Sequence, residues 1–177
     1  MTEYLTQAVV LGSRPQKEND WLADLYTREF GRLEARVIGG RKILSKLAPH
    51  LDLFNLVTVR LVEKKSITLT DVLSDDSFKD KRSRSDFYPK FLNVLLLTRA
   101  LTPKAVPDMH LWHYLVKSLK TGNGDVKTLL KVLGYDPQHA TCDSCDRSPV
   151  SAFRIKDQSF FCRSCSLKDS PDGIVYF

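Results

Sequence analysis

Four cysteines, arranged as two pairs near the C-terminus, restrict the fold of this sequence more than any other feature. The pairs are Cys142-x-x-Cys145 and Cys162-x-x-Cys165, with sixteen residues between them and no cysteine elsewhere. Two residues between cysteines let both sulfur atoms point inward from one tight turn, and two such turns complete a tetrahedron around Zn²⁺. The spacing therefore predicts one structural zinc ion held by four thiolates.

The segment between the two pairs favours this interpretation. Residues 152–155 and 159–161 predict a hairpin around residues 156–158, which would carry the second pair to the first. A thioredoxin-like redox pair is the alternative, but it requires a helix within a βαβ unit, and neither pair has that context. A disulfide framework is not expected, because the sequence opens without the basic and apolar regions of a secretion signal.

The first seventy-five residues have the pattern of a run of strands. Within residues 31–38, Leu33, Ala35 and Val37 alternate with charged side chains, which is typical of a strand with one buried face. The predicted strands cover residues 5–11, 20–27, 31–38, 53–62 and 67–73, with a turn over 12–15 and one or two helical turns over 43–50. This layout predicts an OB-fold, a five-stranded Greek-key barrel that often binds oligonucleotides, with an SH3-like barrel as the alternative.

Beyond residue 75 the pattern becomes helical. Residues 74–84 are polar and predict a linker, after which Asp86, Asp108 and Asp125 stand at the starts of three helices. The first helix has one apolar side, formed by Phe87, Phe91, Val94, Leu95 and Leu101. We predict an α+β protein with a five-stranded OB-fold barrel over residues 1–75, a small helical domain over 76–137 and a four-cysteine zinc module over 138–177.

Positive charge is concentrated in the predicted barrel. The net charge is +6, and residues 28–46 contain six basic and two acidic side chains. Residues 39–42 (GGRK) form a flexible basic turn able to follow a phosphate backbone. Single-strand binders add aromatic platforms for bases, for which Tyr26, Phe30 and Phe54 are candidates. A solvated charged face and core aromatic residues are the alternatives for these two features.

Enzymatic and membrane functions are not expected. The sequence holds no nucleophile with a His and carboxylate partner, no phosphate-binding glycine loop and no paired-carboxylate motif. Its apolar runs are far shorter than the roughly 20 residues that span a bilayer. We expect a non-enzymatic cytoplasmic protein, associated with the nucleoid if its polyanionic partner is DNA.

A series of short motifs resembles the bacterial recombination mediator family RecO. They are residues 8–14 (AVVLGSR), 18–20 (END), 26–33 (YTREFGRL), 39–42 (GGRK), 45–47 (SKL), 51–54 (LDLF), and 129–137 (LLKVLGYDP) leading into 142–145 (CDSC). The resemblance covers nearly the whole chain, and its specificity lies in the order and spacing of the series. Family members usually continue for several dozen residues of helix beyond the zinc module, whereas this sequence ends at Phe177.

The resemblance implies an N-terminal OB-fold, a helical domain and a zinc module. It also implies binding of single- and double-stranded DNA, annealing of complementary strands, and action with RecR in loading RecA onto strands coated by single-stranded-DNA-binding protein. That coating protein's acidic C-terminal tail is a further implied partner, with Lys117, Lys120, Lys127 and Lys131 as candidate contacts. Family DNA contacts correspond here to Arg14, Arg32, Arg36, Arg41, Lys42 and Lys46.

Two other functions share parts of this pattern. An adaptor for RNA or ribosomes would use the same barrel and zinc ribbon, and contacts to 2′-hydroxyl groups would distinguish it. A zinc enzyme acting on nucleic acid would need an open metal position and a carboxylate base. Four thiolate ligands leave no such open position.

Overall fold

The computed structural model describes residues 2–168 and 173–177. The chain divides into two compact units, one formed by Met1–Ser85 with Pro103–Asn123 and the other by Asp86–Thr102 with Gly124–Phe177. The three-domain division expected from the sequence, with boundaries after residues 75 and 137, stays a prediction.

The first unit contains a closed five-stranded barrel. Its strands are β1 (Thr2–Pro15), β2 (Trp21–Thr27), β3 (Gly31–Val37), β4 (Leu56–Glu63) and β5 (Ile67–Asp76), which neighbour one another in the order β1-β2-β3-β5-β4. Strands β3 and β5 pair in parallel at Arg36 and Thr68, whereas the other pairs are antiparallel. A short 3-10 turn (Ala48–His50) lies between β3 and β4. This order confirms the predicted OB-fold.

The barrel core follows from the alternation seen in the sequence. Leu33, Ala35 and Val37 of β3 are buried, while the charged residues between them are half-buried on the outer face. The three buried residues pack in one cluster with buried side chains of all the other strands, including Leu25 and Val59. Burial of each large aliphatic side chain contributes about 1.5–3 kcal/mol, so this cluster is the main source of barrel stability.

Three regions differ most from the prediction. A turn was expected over residues 12–15, but strand β1 continues through them. The pairing of β1 with β2 shifts in register between Val10 and Gly12, so the first part of β1 pairs with β4 and its last part pairs with β2. The helical turns expected over residues 43–50 shrink to Ala48–His50. The expected linker contains the end of β5 and a short helix α1 (Lys79–Arg82).

The remaining helix of the first unit has the ends that the sequence predicts. Helix α3 (Met109–Thr121) begins where the Asp108 carboxylate accepts hydrogen bonds from the N–H groups of His110 and Leu111. It ends at Gly122, whose φ of 69° is in the left-handed region. The segment before α3 lies against the barrel, since the Ala105 N–H donates to the Arg32 carbonyl at 2.8 Å.

The second unit joins three helices to a small sheet. Helices α2 (Phe87–Leu101), α4 (Val126–Val132) and α5 (Arg163–Ser166) accompany strands β6 (Ala152–Arg154), β7 (Ser159–Phe161) and β8 (Ile174–Tyr176), in the sheet order β7-β6-β8. On α2, Phe87, Phe91, Val94 and Leu95 are buried as predicted, whereas Leu101 is half-buried. Within the described ranges, no helix combines the length and the apolar character needed to cross a membrane.

Candidate metal centre and nucleic-acid interface

The four cysteines meet at one point of the second unit. Their Sγ atoms all lie within 4.8 Å of one another, and Cys145 Sγ is 3.7 Å from that of Cys162 and 3.6 Å from that of Cys165. A tetrahedral ion with Zn–S bonds of about 2.3 Å places its sulfur ligands about 3.8 Å apart. Disulfide-bonded sulfurs would be only about 2.05 Å apart. The donor set therefore fits a tetrahedral metal ion.

Two tight turns and a hairpin build this centre. In the first turn, the N–H groups of Cys145 and Asp146 donate to the Cys142 carbonyl at 3.2 and 2.8 Å. In the second, Cys162 directly precedes α5, and the Ser166 N–H donates to the Cys162 carbonyl at 3.0 Å. Strands β6 and β7 form the predicted hairpin that joins the two turns.

A pair of hydrogen bonds fixes the first turn to that hairpin. The Asp143 N–H donates to the Phe160 carbonyl at 2.9 Å, and the Phe160 N–H donates to the Asp143 carboxylate at 2.7 Å. Cys142 and Cys162 are buried with Ala152 and Phe161, so the sulfur atoms line a small apolar cluster. The cysteines are thus held in place by backbone that is itself hydrogen-bonded.

The thiols of the cluster shift one another's pKa values. Burial raises the pKa of Cys142, but hydrogen bonds from the backbone N–H groups of Cys162 and Ser144 outweigh it and bring the pKa to about 6. Hydrogen bonding with Cys145 and then Cys162 raises the pKa of Cys165 to about 12. The pKa of Cys162 is also lowered, so two thiols ionise more easily than a free cysteine while Cys165 resists a further negative charge. A bound dication removes that repulsion and allows all four thiolates to form.

The six barrel residues predicted to contact DNA fall into two groups. Arg14, Arg32 and Arg36 are ion-paired with carboxylates. The Arg32 guanidinium makes two hydrogen bonds of 3.1 Å to Asp24, and both side chains are largely buried. Arg36 pairs with Asp20 at 2.6 Å, and Arg14 pairs with Glu34 at 2.9 Å.

The other three cations lie on one exposed loop, residues 38–47, which we call the basic loop. Arg41, Lys42 and Lys46 are all exposed there. In the part of the chain that the structure describes, no carboxylate lies within ion-pair distance of any of the three. Their charge is therefore available to an external anion.

Hydrogen bonds hold the basic loop in one shape. At its base, the Gly39 N–H donates to the Asp20 carboxylate at 2.9 Å and the Arg41 N–H donates to the Asn19 carbonyl at 3.0 Å. The Gly39 N–H and, next, the Arg36 guanidinium hold the pKa of Asp20 below its usual value, so this anchor is charged at neutral pH. Two successive turns follow, closed by Lys42 N–H to Gly39 O and by Ser45 N–H to Lys42 O.

The expected aromatic platforms are not on the surface. Tyr26 and Phe54 are 1% and 2% exposed and belong to the core. Phe30 is half-buried and packs edge-on against Tyr4, with ring centroids 4.9 Å apart. The sequence interpretation missed Ile43 and Leu44, which it placed in a helical turn but which are fully exposed in the basic loop. The sequence did contain a signal for an exposed pair, since these two large aliphatic residues are adjacent and lie between basic residues.

Fold and site together define an OB-fold protein with a basic loop between β3 and β4 and a four-cysteine metal module.

Residues 1–74 match the family model described as "Recombination protein O N terminal". Over 176 residues the chain is 25% identical to DNA repair protein RecO of Thermodesulfovibrio yellowstonii, covering 92% of this chain and 70% of that protein. It is 28% identical to DNA repair protein RecO of Myxococcus xanthus, covering 95% of this chain and 75% of that one. The corresponding protein of Rubrobacter xylanophilus is 26% identical, with 98% and 75% covered. The N-terminal 74 residues thus match a RecO family model, and nearly the whole chain is similar to proteins named DNA repair protein RecO.

Proposed function

We propose that this protein is a DNA-binding recombination mediator of recombinational DNA repair and that it works without catalysing a reaction. The observation that carries the proposal is the basic loop, whose Arg41, Lys42 and Lys46 are exposed and have no carboxylate partner among the described residues. The names of the relatives, each a DNA repair protein RecO, support the same function.

The mechanism we propose rests on phosphate neutralisation. Each Lys or Arg that contacts a phosphate releases condensed counterions, and this entropic gain does not depend on base sequence. The same loop can therefore bind single- and double-stranded DNA. Annealing requires two backbones to approach each other, and neutralising them lowers the repulsion that keeps complementary strands apart.

The six predicted contacts do not contribute equally in this proposal. Arg41, Lys42 and Lys46 contact phosphate directly because no carboxylate among the described residues compensates their charge. Arg14 and Arg36 contribute less, because their ion-pair partners Glu34 and Asp20 reduce their attraction for DNA. Lys104 and then Arg14 hold the pKa of Glu34 below its usual value, so this competing carboxylate stays ionised at neutral pH. Arg32 is the least available of the six, since Asp24 already occupies its guanidinium.

For the protein partners we propose RecR, with RecA loaded indirectly, and the acidic tail of single-stranded-DNA-binding protein. A cavity of about 530 Å³ in the second unit is lined by two lysines and two aspartates, Lys127, Lys131, Asp125 and Asp136, together with Pro137, Pro149 and Val150. The lysines and the apolar surface favour an acidic peptide with apolar side chains, whereas Asp125 and Asp136 oppose it, and Asp136 pairs with Lys131 at 3.6 Å. Lys117 and Lys120, predicted to join them, lie on α3 in the first unit.

The metal proposed for the cysteine centre is a single structural Zn²⁺ bound by Cys142, Cys145, Cys162 and Cys165. Four sulfur ligands fill the tetrahedron and leave no position for substrate. The ion supplies cohesion to the module, and the DNA-binding barrel has its own core.

The test is the salt dependence of DNA binding. Replacing both Arg41 and Lys42 by alanine should reduce the slope of log affinity against log salt concentration by about 1.4 to 2 units, because two phosphate contacts are lost. Fluorescence anisotropy with a labelled single-stranded oligonucleotide at a series of salt concentrations measures that slope.

The matched control is Lys64→Ala with Lys65→Ala, which removes the same charge from the exposed loop between β4 and β5. We expect this pair to leave the slope nearly unchanged. Equal slopes for the wild type and the Arg41/Lys42 variant would remove the basic loop from the interface. Tighter binding of an RNA oligomer of the same sequence would favour an RNA adaptor instead.

A further inference from the structure

Two aliphatic side chains at the tip of the basic loop are exposed to solvent. Ile43 and Leu44 are 102% and 91% exposed, more than any other large hydrophobic residue among those described. The hydrogen bond from Ser45 N–H to Lys42 O closes a turn whose two central positions they occupy. The turn therefore points both side chains outward, away from the barrel core.

Neither folding nor turn chemistry accounts for these residues. Turn positions favour Gly, Pro, Asn, Asp and Ser, and a β-branched isoleucine has no advantage there. Side chains this exposed contribute nothing to the core, and adjacent exposed aliphatic residues reduce solubility. Their surroundings point to a partner that covers them.

The charges beside the pair identify that partner. Arg41 and Lys42 precede it and Lys46 follows it, all exposed and without a carboxylate partner in the described ranges. A ligand for this loop must present anions on both sides of an apolar surface. DNA has this arrangement, with phosphates flanking the faces of its bases, and Leu and Ile are among the side chains that proteins insert between base steps.

We propose that Ile43 and Leu44 form an aliphatic wedge that inserts between neighbouring bases of bound DNA while Arg41, Lys42 and Lys46 hold the flanking phosphates. The wedge rests on the proposed DNA-binding function and adds a base-contacting element to it. It takes the place of the aromatic platforms expected from the sequence, because Tyr26 and Phe54 are buried. An unstacked step leaves base edges open for pairing with a complementary strand.

The test replaces Ile43 and Leu44 together by threonine and uses single-stranded DNA carrying 2-aminopurine, whose fluorescence rises when it is unstacked. Wild-type protein should raise the fluorescence several-fold at saturation, and the double variant should not. Affinity should fall about tenfold, because burial of two aliphatic side chains is lost. The salt slope should stay unchanged, since every cation is retained.

Leu5→Thr with Leu73→Thr is the matched control. These leucines are 68% and 65% exposed on barrel strands and lie outside the basic loop. This variant should bind DNA and raise the fluorescence as the wild type does, which separates the wedge from a general effect of exposed apolar surface.

The outcomes separate the wedge from the function it rests on. If wild-type protein binds DNA without a fluorescence change, and the Ile43/Leu44 variant binds equally well, the wedge is wrong and DNA binding stands. Absence of wild-type binding would overturn both. Sedimentation with phosphatidylglycerol vesicles that depends on Ile43 and Leu44, without a 2-aminopurine response, would instead assign the tip to a membrane surface.

Discussion

Replacing Cys142 by serine is expected to release the metal and unfold the C-terminal part of the second unit. The strands there have only three residues each, and the apolar cluster between them is small. Structural zinc contributes about 10–16 kcal/mol to the folding of such modules, which exceeds the stability of most domains. Without it, the two cysteine turns keep only their hydrogen bonds to the hairpin and the small apolar cluster.

Metal analysis and limited proteolysis measure this effect. Wild-type protein should contain one zinc ion per chain, whereas the variant should contain none and be cleaved within residues 138–177. Ser144→Ala is the control, since Ser144 lies in the same turn and its side chain is exposed. A metal-free wild-type protein with four reduced thiols and a protease-resistant module would contradict the prediction.

DNA binding should survive the loss of the metal. The barrel has its own buried cluster, drawn from all five strands and none of the cysteines. We therefore expect the Cys142 variant to bind an oligonucleotide with the wild-type salt slope. If the variant lost DNA binding together with the metal, the folding of the barrel would depend on the zinc module.

The cysteine centre could be predicted from the sequence because its information is local. Two residues between ligands define a turn, and the hairpin between the pairs is visible in the pattern of residues 152–161. The strand β8 was not predicted, because Ile174–Tyr176 gains its place only by pairing with β6. A three-residue strand carries too little pattern of its own.

The ion pairs of the barrel needed information that strand patterns lack. Alternation placed Arg32 and Arg36 on the outer face of β3, and the structure agrees. Their carboxylate partners follow from register: Tyr26 is opposite Arg32, which brings Asp24 to the diagonal position. Leu22 is opposite Arg36 in the same way, which brings Asp20 near it. Diagonal neighbours are within reach of long side chains, so only a fixed register reveals which cations are already compensated.

The basic loop was misinterpreted for a different reason. Ile43, Leu44 and Leu47 have the spacing of an apolar helix face, and helical turns were expected over residues 43–50. In the structure, Leu47 packs against the barrel core, whereas the turn closed by Ser45 sends Ile43 and Leu44 outward. Periodicity assigns all apolar residues to a core, so it cannot recognise apolar residues placed at a surface.

Arg32→Met is expected to lower the free energy of unfolding of the barrel by about 3–5 kcal/mol. The change keeps most of the side-chain volume but leaves the Asp24 carboxylate buried without the guanidinium that compensates it. The matched control, Arg14→Met, breaks a more exposed pair with Glu34 and should cost less than about 1 kcal/mol. Urea denaturation of both variants under one set of conditions compares them.

The Arg32→Met variant also tests whether this arginine stabilises the barrel or contacts DNA. If Arg32 is committed to Asp24, folded Arg32→Met protein should bind DNA with nearly the wild-type salt slope, because no phosphate contact is lost. A slope reduced by about one unit, together with a small loss of stability, would instead make Arg32 a phosphate contact. In that case Asp24 must release the guanidinium when DNA binds, and the interface would extend from the basic loop along the outer face of β3.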